Sequence, residues 1–173
     1  MVLDVDTIFP TAKEGADEFF VQEAEEALRP RIVVKLVDED TPVSDTSLIE
    51  DGELFMSVSA DQTYEFEVFF ADKYVGGCGG DPDLKYTFSG PTGSSGKFWG
   101  ILLGGGIETT MTPLPFGTII NAGSSSNYSW SGSKGWIKTG NTAGFLRFKF
   151  GAVTSETCVA RIEAGAWLKV TRQ

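Results

Sequence analysis

Residues 63–70 read TYEFEVFF, and the order of side chains in this stretch decides the fold class. Tyr64, Phe66, Val68 and Phe70 occupy every second position, with Glu65 and Glu67 between them. A period of two belongs to a strand, whose successive side chains point to opposite faces. One apolar face and one acidic face mark a half-buried antiparallel strand. Residues 145–150 repeat the pattern, with Leu146, Phe148 and Phe150 read as inward and Arg147 and Lys149 as outward.

Working outward from these two stretches, strands are expected at 31–37, 53–59, 84–89, 97–103, 117–121, 135–139, 157–162 and 166–171. Between them lie turn-forming segments rich in Gly, Pro, Ser and Asp, at 38–47, 76–83, 90–96 and 140–143, and a serine-rich loop over 121–134. About eight to ten short strands at this spacing define a mainly β chain, an antiparallel β-sandwich of jelly-roll-like form.

The first thirty residues differ in kind. They hold eight acids against two bases, whereas the remaining 143 residues hold 16 acids against 12 bases. Residues 1–15 read as extended, and ADEFFVQEAEEAL at 16–28 as one short helix with Phe19, Phe20, Ala24, Ala27 and Leu28 on one side. Pro30 ends it. About 13 residues is marginal for a lone helix, so it is expected to dock on something. The expected organisation is an N-terminal arm over 1–30 and a sandwich over 31–173. In the arm, Val5, Ile8, Phe9, Phe19, Phe20 and Leu28 are the expected partner-binding residues.

Composition excludes several functions. The chain has no histidine, which removes Ser-His-Asp and Cys-His catalysis and His-ligated zinc. A net charge of -10 opposes binding to nucleic acid or to an anionic membrane surface. No run of about 20 apolar residues spans a bilayer, and the acidic N-terminus does not read as a secretory leader. The expectation is synthesis in a cytoplasm. Cys78 and Cys158 are read as free thiols ahead of a disulfide.

No cofactor or metal is expected. GSKG at 132–135 lacks the upstream glycine of a phosphate loop. Glu65 and Glu67 sit on one strand face; a solvated outer face is the reading ahead of a glycosidase pair. Asp81 and Asp83 read as turn residues ahead of a calcium site. Asp38, Glu39 and Asp40 read as a solvated strand-to-loop junction. Trp99, Trp130, Trp136 and Trp167 are read as core or subunit-interface residues ahead of a sugar platform. Tyr128 and Trp130, in NYSWSGS, are the candidate ligand-stacking residues.

The segment order resembles a pattern in structural proteins of tailed bacteriophages. SLIEDGELFMSVSADQTYEFEVFF at 47–70 is similar to a loop, a short L-x-x-D-x-x-L start, a strand, a polar turn and a Y-x-F-E strand. LKYTFSGPTG at 84–93 resembles the segment that follows, and GFLRFKFGAVTSETCVARIEAGAWLKVTR at 144–172 the closing part. The chain departs from that pattern in FKFGAV, where Q-W-A-Q often stands, and in Ala166, where serine is common. The resemblance covers 31–173 in order and brings no catalytic residues. It implies a non-enzymatic virion protein, such as a capsid decoration or cement protein anchored to the major capsid protein or another virion protein through its arm. A tail-fibre or receptor-binding module that recognises a host glycan is the other expectation. It also implies a homo-oligomer, a trimer by analogy.

Overall fold

The computed structural model describes residues 28–42, 44–75, 84–103, 113–122, 129–154 and 159–173. Its strands are β1 (Arg31–Val34), β2 (Glu39–Asp40), β3 (Ile49–Val58), β4 (Thr63–Val75), β5 (Leu84–Ser89), β6 (Ser95–Leu103), β7 (Leu114–Pro115), β8 (Ile120–Ala122), β9 (Ser129–Lys138), β10 (Gly144–Ala152), β11 (Val159–Ile162) and β12 (Trp167–Arg172). Every pairing among them is antiparallel.

The strands form two sheets. The larger runs β1-β12-β4-β9-β6-β7, and the smaller β3-β10-β5-β8. β4 is long enough to carry two neighbours on one edge: its first half pairs with β12 and its last residues with β11, which in turn pairs with β2. The chain is an antiparallel β-sandwich, as expected.

The core lies between the sheets and is built on aromatic rings. Phe70, Tyr86, Phe88, Phe98, Phe148 and Phe150 are all fully buried. Phe148 meets Phe70 at 5.1 Å, Tyr86 at 5.8 Å and Phe88 at 5.7 Å between ring centroids. These tilted and edge-on geometries suit the ring quadrupole. The alternations at 63–70 and 145–150 point as read: Tyr64, Phe66, Val68, Phe70, Leu146, Phe148 and Phe150 are inward, while Glu65 and Glu67 are exposed.

β9 inverts the usual pattern. Three successive inward positions are small, with Ser131 and Ser133 buried and Gly135 pressed against β6, before the buried Ile137 resumes the apolar series. Its outward positions include Trp130, Lys134 and Trp136. The small inner side chains make room for the bulk of the opposite sheet. The Tyr86 hydroxyl reaches Ser133 Oγ at 2.8 Å, and a Cβ on Gly100 would stand 2.6 Å from the same hydroxyl. This inversion is why β9 begins at Ser129, within the loop expected at 121–134 and well ahead of the strand expected at 135–139.

Other boundaries shift for local reasons. β1 ends at Val34 rather than 37, because Lys35 turns inward. The Leu36 and Val37 amides donate instead to the Glu53 carboxylate, at 3.0 and 3.1 Å. β3 begins at Ile49, four residues before the expected start. The polar segment 38–47 contains the two-residue β2.

The junction of Asp38, Glu39 and Asp40 is not simply solvated, which corrects that expectation. Asp38 and Asp40 bind Arg161, at 3.3 and 2.5 Å, and Glu39 binds Lys35 at 2.8 Å. Lys35 is itself enclosed, its Nζ lying 3.0 Å from the buried Asp51 and 3.7 Å from Glu53. The cluster ties β1, β2 and β3 at one corner of the sandwich.

Of the arm, only Leu28 to Pro30 lie among the described residues; Val5, Ile8, Phe9, Phe19 and Phe20, and the helix expected over 16–28 apart from Leu28, lie outside them. So do Cys78, Cys158, Asp81, Asp83 and Tyr128.

Candidate functional site

All four tryptophans stand on the outer face of the larger sheet, and none is in the core. Of the two places expected for them, core or subunit interface, the core is thereby excluded. The interior is filled by phenylalanine, tyrosine and aliphatic side chains, and β9 turns Ser131, Ser133, Gly135 and Ile137 towards it. Strand register orders the face into rows. Trp167 lies across from Phe69, and Phe69 across from Gly132. The next row is Lys169, Glu67, Lys134 and Trp99, and the one beyond it Thr171, Glu65, Trp136 and Lys97.

Two surfaces arise from these rows. The first is an apolar band. Phe69 stacks on Trp130 at 5.4 Å with planes 17° apart, and on Trp167 at 6.1 Å with planes 27° apart. Gly132 lies beside the stack, where a Cβ would stand 3.0 Å from the Val68 carbonyl oxygen and in ordinary contact with the Phe69 ring. Trp130, a candidate from the sequence, is 49% exposed at one end of the stack. At the other end Val34 lies across from Trp167, and from there exposed aliphatics follow the sheet edge: Leu28, Ile32, Val34, Leu36 and Val37.

The second surface is a groove of about 320 Å³ between Trp99 and Trp136, lined also by Glu65, Glu67, Lys134, Lys169 and Thr171, with Phe66 and Gly135 at its floor. Lys134 Nζ lies 5.5 Å from the Trp99 ring centroid, a cation–π contact. Among the described residues Glu65, Glu67 and Lys169 form no ion pair, although register places Glu67 between Lys169 and Lys134. Elsewhere on the molecule facing charges do pair: Glu50 with Arg147 and Lys149, Lys73 with Glu163, and Asp40 with Arg161. Asp40 is thereby held below the usual carboxylate range, chiefly by its hydrogen bond from Arg161.

Sequence reasoning identified all four tryptophans and both glutamates but missed their assembly into one face. The signal was present on β9, where Trp130, Lys134 and Trp136 alternate with the small residues Ser131, Ser133 and Gly135.

The class that fold and surface define is an antiparallel β-sandwich with an aromatic outer face. No protein-family model and no characterised protein matches the chain. Among solved structures it is similar to that of the infectious bursal disease virus Gx strain, at 11% identity and a TM-score of 0.19 over 84% of this chain and 36% of that one. It is also similar to the VP2 subviral particle of infectious bursal disease virus, at 12% identity and a TM-score of 0.19 over 83% of this chain and 41% of that one. The chain thus spans about two fifths or less of those proteins. Similarity this loose carries no functional weight. Among the described residues no helix is long and apolar enough to cross a membrane.

Proposed function

We propose that this chain is a non-enzymatic structural protein of a tailed-phage particle, a decoration protein held on the major capsid protein through residues 1–30 and the sheet edge that follows them. The observation that supports this is where the exposed apolar residues gather. Of nine large hydrophobics exposed among the described residues, five lie between Leu28 and Val37. They continue the apolar series of the N-terminal segment directly onto the sandwich. An uncovered apolar edge invites association, and each such side chain contributes about 1.5–3 kcal/mol on full burial, before ordering costs. The acidic segment beside it is suited to a basic patch on the capsid surface.

The test is decoration of purified heads by the full chain and by a form lacking residues 1–29. The truncated sandwich is expected to stay folded and soluble and to lose the heads. The double substitution Val34→Asn with Leu36→Asn, both on exposed sites, is expected to weaken decoration as well. Normal decoration by the truncated form would overturn the proposal.

A further inference from the structure

We propose that the groove between Trp99 and Trp136 binds a neutral saccharide. A pyranose ring would lay its C–H face on Trp136, with Trp99 as the facing wall. Its hydroxyls would donate to Glu65 and Glu67 and accept from Lys134 and Lys169.

Four observations carry this. The groove is about 320 Å³, within the range of about 300–1,000 Å³ for small-molecule sites. Its two carboxylates and two ammonium groups balance, so it favours a ligand without net charge. Glu65, Glu67 and Lys169 make no ion pair among the described residues and keep their hydrogen-bonding capacity for a ligand. Finally, the groove sits mid-sheet. β12, β4 and β9 are each paired on both sides where Lys169, Glu67 and Lys134 stand, so an extended peptide finds no free strand edge at the centre of the groove. A polynucleotide is opposed by the groove's carboxylates and by the net charge of -10. What remains is a molecule that alternates apolar C–H faces with hydroxyls.

The site is separate from the apolar band, and its test needs only the isolated chain, so failure here leaves the virion reading standing and the reverse also holds. The full-length chain is applied to an array of bacterial surface oligosaccharides, and the strongest neutral binder is then titrated by calorimetry. Trp136→Ala and Glu67→Gln are each expected to weaken that binder about tenfold or more. Trp136→Phe, which keeps a stacking face, is expected to restore most of the loss. Trp130→Ala is expected to change nothing. Trp136 is 38% exposed and outside the core, so its truncation leaves the fold intact, which circular dichroism verifies. The proposal is overturned if the array retains no neutral saccharide, if Trp136→Ala binds as tightly as the parent, or if the loss follows Trp130 instead.

Discussion

At the scale of single residues the sandwich depends on where it keeps atoms out as much as where it places them. Gly135 lies so close to β6 that a Cβ would stand 2.6 Å from the Phe98 Cβ and closer still to the Lys97 carbonyl oxygen. Because part of that obstacle is backbone, Gly135→Ala is expected to cost about 1–3 kcal/mol, read as a lower urea midpoint. Tyr86 is the complementary case, a full-size polar ring with no exposed surface. Burial pushes its hydroxyl up to about 12 from an ordinary 10.0, against the hydrogen bond with Ser133, which lowers it. The folded state therefore holds this proton more tightly than the unfolded chain does. The stability so gained is complete below pH 10.0 and is lost as pH rises through about 12. Tyr86→Phe is expected to lessen the steepness of alkaline unfolding while costing about 1–3 kcal/mol near neutrality, since Ser133 loses its partner. The large inward residues of β4 and β10 were legible from the sequence because their alternation is strict. Gly135 and Ser133 were not, because small residues facing inward look like loop composition.

At the scale of elements the corner around Lys35 sets how β1, β2 and β3 meet. Burial alone would lower the Lys35 pKa, but hydrogen bonds to Glu39 and Asp51 outweigh it and the ammonium titrates above 10.5. Its charge is thus secure at any ordinary pH, and the corner's sensitivity lies with the acids. The backbone amide of Val37, ahead of that of Leu36, holds Glu53 below the usual carboxylate value. A depressed carboxylate stabilises the fold above its unfolded pKa, and that contribution disappears as pH falls through the folded one. Acid titration followed by urea unfolding should therefore show a declining midpoint below the ordinary glutamate value of 4.5, and Glu53→Gln should flatten that decline. Lys35→Met, which leaves Asp51 buried without its cation, is expected to cost about 3–5 kcal/mol. None of this was readable in advance. Asp38, Glu39 and Asp40 form a charge run in a polar segment, and their partners, Lys35 and Arg161, lie at opposite ends of the sandwich sequence.

At the scale of the whole molecule the sheets are closed by strands distant in sequence. β1 pairs with β12, and β3 with β10. Such non-local closure makes refolding slow, in the range of milliseconds to seconds. It also makes the last strand indispensable: β12 lies between β1 and β4, so a chain ending at Gly165 is expected to show no cooperative urea transition at all. Fold class was legible because the period of two persists through most of the chain. Topology and the tryptophan face were not, since which strands become neighbours depends on register between distant segments. That face has a practical consequence for anyone following the protein by light. Trp130 and Trp136 are exposed and Trp99 and Trp167 half-buried on the outer face, so much of the native emission should already be red-shifted and readily quenched by acrylamide, and unfolding should change it less than it would for core indoles. Fluorescence in this molecule is a reporter of what settles on the surface, and the melting of the interior has to be watched through other chromophores.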